Sequence, residues 1–185
     1  MYQVDAFTKE LFKGNPAAVI VLDNWLDEHL MQNIALENNL SETAFVRKID
    51  DANYEIRWFS PTDEVAFCGH ATLASAYVLF KDFTEAKTIQ FHVRQLGIFV
   101  VTQDADGKIK MNFPMRKAEQ VSDYPQALRD GLNKPFKAVY LNAQAYIVEY
   151  ESVQDVLDEQ PNLEKLKQLG QVRTAITASQ PDIAI

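Results

Sequence analysis

The sequence predicts an α+β protein in which short antiparallel strands outnumber helices. Three observations carry this. Period-two alternation of apolar and polar residues recurs along the chain, as in Tyr54, Ile56 and Trp58 of NYEIRWF. Only two stretches of the first half carry helical character, LDEHLMQNIALENN and the Ala/Leu-rich run after Gly69. Asp106-Gly107 then joins two apolar runs as a hairpin signal.

Taken in order, Tyr2, Val4 and Ala6 mark a half-buried strand, and Lys13-Gly14-Asn15-Pro16 is turn chemistry leading into the more buried strand AAVIVL. Asn24 is expected to cap the first helix, with Asp27 in the capping-box position. Leu26, Leu30 and Ile34 are its expected apolar stripe, flanked by Met31 and Ala35. Asn38-Asn39 suits the helix exit, because Asn tolerates a left-handed backbone. Strands are predicted from about Glu42 and over NYEIRWF, then a helix from the CGH turn to about Phe80, then strands TIQFHVR, GIFVVT and KIKMNF. The second half predicts a short helix in SDYPQALRDG, strands AVYL and AYIVEY, an acidic helix pair broken at Pro161, and a strand VRTAITA. A charged stretch without apolar period, from Pro114 to Ser122, marks the boundary between domains 1–115 and 116–185.

Composition narrows the function classes. Of 185 residues, 47% are hydrophobic and 24% charged, ordinary for a globular chain with a buried core. Lys+Arg 18 against Asp+Glu 26 gives a net charge of -8, which argues against a nucleic-acid or anionic-membrane surface. A small anion can still be held by local backbone donors. One cysteine excludes an intrachain disulfide and leaves too few sulfurs for a thiolate metal cluster. With no secretory signal and no apolar run of spanning length, the expected location is the cytoplasm.

A weak internal repeat is visible. An apolar strand, an acidic helix and a strand occur as AAVIVL…SETAFV and again as AYIVEY…VRTAIT. Aligning Thr43-Ala44 with Thr174-Ala175 gives an offset of 131 (174 minus 43). Cys68 then has no counterpart before Ile185, so the second copy is expected to be unfinished.

Two places can carry chemistry. In EVAFCGHATLAS, Gly69 opens a helix, where unpaired N–H groups and the helix dipole can hold a carboxylate. Gly69 is otherwise a plain turn residue, and His70 either a ligand donor or a solvated first-turn side chain. Cys68 has three readings: a nucleophile made acidic by the helix start, one base of a two-thiol racemase whose second thiol is missing, or a small buried hydrophobe. A metal set from Cys68, His70 and His92 is not expected, since C-x-H is not a zinc spacing. The second place is Ser41-Glu42: a carboxylate at a strand start, flanked by apolar residues, suits a general acid/base if partly buried and a polar turn if not.

VDAFT, FKGNPAAVIVL, LMQNIALENNLSETAFV and IRWFSPTDEVAFCGHATLAS together resemble the PhzF (phenazine-biosynthesis-like) family, most densely from Val4 to Ser75. The resemblance implies a diaminopimelate epimerase-like fold of two similar halves, each a sheet wrapped around a helix, with the site between them. It implies that Glu42 of S-E-T is the catalytic acid/base, with Gly69, His70 and Asn15 against the substrate and Cys68 and Ser41 secondary. The implied activity is a cofactor-independent isomerase that moves a proton on a small carboxylate-bearing metabolite. No metal is expected, and a homodimer is, because an unfinished second domain would expose apolar surface. The family's later D-P-V-T-G-S-A-H type motif does not occur before Ile185. The expectation is therefore a complete first domain with a partial second one. The alternative is a non-catalytic small-molecule-binding or interaction protein retaining the fold.

Overall fold

The structure is a computed structural model that describes residues 1–10, 12–94, 96–113, 115–170 and 172–179. The terminal run 180–185, where the unfinished second copy was expected to stop, and Pro114 of the expected boundary lie outside the described residues. The chain forms two compact units, Met1–Phe113 and Pro114–Ile185.

In the first unit β1 (Tyr2–Ala6) and β2 (Asn15–Leu22) pair antiparallel, with Ala6 opposite Asn15. Gly14 closes this hairpin at φ 79°, where a Cβ would stand 2.2 Å from the Ala6 carbonyl oxygen. Only glycine fits there. β2 runs parallel to β3 (Glu42–Lys48), and β3 antiparallel to β4 (Asn53–Phe59). β5 (Glu64–Val65) adds to the far part of β4, and after helix α2 (Gly69–Asp82) come β6 (Thr88–Val93), β7 (Gly97–Gln103) and β8 (Ile109–Met111). The strand order is β1-β2-β3-β4-β6-β7-β8. Gly107, at φ 83°, turns β7 into β8 as the Asp-Gly pair predicts.

Helix α2 packs on β1, β2 and β3 at one end of that order and on β8 at the other, so the sheet curls around it. Its composition allows this. Ala71, Thr72, Ala74, Ser75 and Ala76 are all buried, and their small side chains let strands approach from several sides. Period-two alternation then sorts the strand residues. Ala17, Val19, Ala44, Val46 and Trp58 join the core around α2. Phe45 and Phe59 face the other way, with Met31 and Ala35 of helix α1 (Glu28–Asn38).

Two expectations for α1 are corrected. Asp27 caps it, its carboxylate accepting the His29 N–H at 3.0 Å, rather than Asn24 three residues earlier. The buried positions are Met31 and Ala35, while Leu30 is 47% exposed. The cause is tertiary: Trp25 and Leu26 reach the α1 side of the sheet from an irregular segment, so the helix begins later and turns a different edge inward. Asn39 ends it with the left-handed backbone expected, φ 49°.

The second unit holds β9 (Glu119–Val121), α3 (Gln126–Gly131), β10 (Ala138–Leu141), β11 (Ala145–Tyr150), α4 (Val153–Asp158), α5 (Leu163–Leu166) and β12 (Arg173–Ala178), its sheet ordered β12-β11-β10-β9. β9 was not expected, because its Glu-Gln-Val has no apolar period; pairing with β10, Val121 opposite Val139, makes it a strand. The internal repeat is real in topology. β10 and β11 pair antiparallel and β12 returns parallel to β11 after helices, as β1, β2 and β3 do around α1. Arg173 stands opposite Ala145 as Glu42 stands opposite Ala17. Leu128, Val139, Val148 and Tyr150 form this unit's own core. Among the described residues no helix is long and apolar enough to cross a membrane.

Candidate active site

Strand register decides where Glu42 points. It shares a face of β3 with Ala44 and Val46, the face toward α2, whereas Thr43 and Phe45 face away. At the first position of β3 it projects past the end of the packed core and meets the start of α2. Its Oε2 lies 3.4 Å from His70 Nε2, with side-chain exposures of 15% for Glu42 and 11% for His70. That is ion-pair reach, yet among the described residues the buried Nε2 makes no hydrogen bond. On the other edge of the ring, Nδ1 lies 3.3 Å from the Sγ of Cys68, which is 7% exposed.

The start of α2 is open to an anion. Cys68 stands at the cap position with an extended backbone, and its side chain does not cap the helix. The first helical bond runs from the Thr72 N–H to the Cys68 carbonyl, which also accepts the Thr72 hydroxyl at 2.6 Å. The N–H groups of Gly69, His70 and Ala71 therefore have no partner within the helix, and they carry its positive dipole end. Gly69 does not have the left-handed backbone of a turn glycine, and a Cβ there would meet only the Phe67 ring edge, at 3.9 Å. What the glycine provides is clear space beside those amides.

Asn15 is brought to the same end of the sheet. It lies in phase with Ala17 on the α2 face of β2, two residues before the position opposite Glu42. Ser41 is exposed in the turn before β3 and joins none of the described hydrogen bonds. His92 is elsewhere, its Nε2 3.1 Å from Asn53 Oδ1. Sequence reasoning missed Thr72, whose buried hydroxyl ties down the Cys68 carbonyl; a Thr four residues after the cap was the available signal. It also missed Asn38, whose amide donates to the Thr43 hydroxyl at 3.2 Å and holds the helix exit against the strand start beside Glu42.

Donor atoms of Glu42, Cys68 and His70 lie within 4.8 Å of one another, the donor set of a soft divalent cation among the described residues. The ring, however, offers Nδ1 to the sulfur and Nε2 to the carboxylate. The arrangement suits proton handling: an imidazole between a carboxylate and a thiol, next to amide donors left unpaired within the helix.

The model of the phenazine biosynthesis-like proteins, PhzC-PhzF, matches residues 4–183. The chain belongs to the PhzC-PhzF family. A protein of Halalkalibacterium halodurans named as an uncharacterized isomerase is 41% identical over 171 residues, which is 91% of this chain and 63% of that protein. This family member therefore spans less than two thirds of that relative. The crystal structure of a PhzF family protein of Enterococcus faecalis superposes with a TM-score of 0.85 at 39% identity, covering 98% of this chain and 68% of that one. A predicted epimerase of Pseudomonas aeruginosa, 19% identical, shares the fold with a TM-score of 0.67 over 95% of this chain and 68% of its own.

Proposed function

We propose that this PhzC-PhzF family chain carries the acid/base of a cofactor-independent isomerase acting on a small carboxylate-bearing metabolite. The observation that carries the reading is Glu42, a nearly buried carboxylate facing the imidazole of His70 at the amide-lined start of α2. The isomerase name of the Halalkalibacterium halodurans relative supports it. The substrate carboxylate docks on the N–H groups of Gly69, His70 and Ala71, with Asn15 beside it. Glu42 takes a proton from a carbon next to an unsaturated or carbonyl-activated system: the C–H bond breaks, an O–H bond forms, and the electron pair enters the conjugated system. The same carboxyl then returns the proton to another carbon of that molecule, so atoms and charge balance without a second reactant. The amide dipoles and the His70 N–H stabilise the charge that develops meanwhile. A homodimer belongs to the same proposal.

The test is solvent exchange. With dihydro-hydroxy acids and amino acids incubated in heavy water, wild type should place deuterium on carbon, and Glu42→Gln should lower that rate at least about a hundredfold, the lower range for a general acid/base. Exchange that survives unchanged in Glu42→Gln refutes the assignment. Ligand-dependent thermal stabilisation with no exchange by wild type would make the chain a binding protein instead.

A further inference from the structure

We infer that Cys68 is a positioning residue: its thiol holds the His70 ring so that Nε2 carries the proton beside Glu42, while leaving the first amides of α2 uncapped. The inference rests on the isomerase reading for its catalytic part and on geometry alone for the rest. Sγ lies 3.3 Å from Nδ1, and both groups are nearly buried, so the contact persists without competition from bulk water. A thiol that donates to Nδ1 makes that nitrogen the acceptor, and neutral imidazole must then carry its proton on Nε2. Nε2 is buried, lies 3.4 Å from the carboxylate and, among the described residues, has no hydrogen-bond partner. A buried donor left in this state fits an oxygen that arrives with the ligand, next to the carbon Glu42 deprotonates.

The choice of cysteine over serine follows from its place in the chain. Position 68 caps α2, and a serine hydroxyl there accepts readily from the second or third helical N–H. Those are the His70 and Ala71 amides proposed to hold the substrate carboxylate. Sulfur is a weak acceptor, so Cys68 can face the imidazole without closing the anion site. One residue thus serves two requirements that serine would set against each other.

The test separates them by kinetics. Cys68→Ala should lower kcat for solvent exchange about fivefold, the equivalent of one hydrogen bond, with KM unchanged. Cys68→Ser should keep kcat near wild type but raise KM about fivefold, because its hydroxyl caps the amides. In a His70→Asn background Cys68→Ala should cost nothing further, as expected of a group acting through the ring. An equal loss with and without His70, or a kcat untouched by Cys68→Ala, overturns the inference. Imidazole nitrogen resonances decide the matter even if wild type shows no exchange and the isomerase reading falls. In histidine-labelled protein, with His29→Gln and His92→Gln for assignment, His70 should carry its proton on Nε2 and show an Nδ1 shift displaced by hydrogen bonding. Cys68→Ala should remove that displacement and Cys68→Ser retain it. A proton on Nδ1 in wild type, or an Nδ1 shift unaffected by Cys68→Ala, overturns it.

Discussion

Replacing Gly69 by alanine separates a structural glycine from one kept for a ligand. The backbone is not left-handed there, and an added Cβ would touch only the Phe67 ring edge, at 3.9 Å. The residue is also the first of a 14-residue helix, where alanine is the better helix former by up to about 1 kcal/mol. Folding should therefore be unchanged or slightly improved, a rise in Tm of at most about 4 °C for a chain of this size. The methyl group does occupy the space beside the amides of Gly69, His70 and Ala71. Losing one hydrogen bond to a carboxylate costs about 1.5–3 kcal/mol, or roughly ten- to a hundredfold. A carboxylate docked there as proposed is held in both ground and transition states, so the loss should fall on KM more than on kcat. The assay pairs thermal unfolding with the concentration dependence of deuterium uptake. A large fall in Tm would show that Gly69 serves the turn, and an unchanged KM would show that no anion rests on these amides; either result refutes the reasoning.

Gly14→Ala should do the opposite. Its left-handed φ of 79° and the 2.2 Å approach to the Ala6 carbonyl oxygen leave no room, so the β1–β2 hairpin should lose about 2 kcal/mol or more, read as a fall in Tm. In the second unit, Glu159 is buried and accepts the Tyr150 hydroxyl at 2.5 Å and the amides of Asn133 and Lys134 at 3.0 and 3.1 Å. Burial alone would push its carboxyl up, but the hydrogen bonds outweigh that and hold it below the usual range. A carboxylate depressed in the folded state stabilises it above the unfolded value, and this contribution is lost as pH falls through the folded value. The stability gap between wild type and Glu159→Gln should therefore narrow on acidification below the ordinary glutamate range. A gap constant from neutral pH to pH 3 in thermal melts would contradict the assignment. Burial also holds the Tyr150 hydroxyl protonated well above the usual tyrosine range, with help from its bond to Glu159, so that partner should not titrate in the same experiment.

How much was legible beforehand varies with the range of the interaction involved. Alternation in NYEIRWF, the Asp106-Gly107 turn and the left-handed Asn39 depend on a few neighbouring residues, and the structure has them where the sequence indicates. The motif order pointed to the family, and the faint strand–helix–strand repeat returns as matching registers in the two sheets. Where α1 begins was not legible, because Trp25 and Leu26 are drawn to a strand face by side chains distant in sequence. Nor was β9, which is a strand only because β10 lies beside it.

For the site, the sequence by itself determined the ingredients: one carboxylate at a strand start, and a cysteine, glycine and histidine at a helix start. Tertiary structure decided that they meet. Glu42 faces α2 because strand residues alternate and β3 begins at that residue, and His70 meets it because the sheet curls around a helix of small side chains. That His70 shows one nitrogen to Cys68 and the other to Glu42 could not be read from spacing, since it depends on a ring angle fixed by contacts from two elements. Local propensity acts within a few residues. The geometry of this cluster arises where distant elements pack, and it exists only once they have done so.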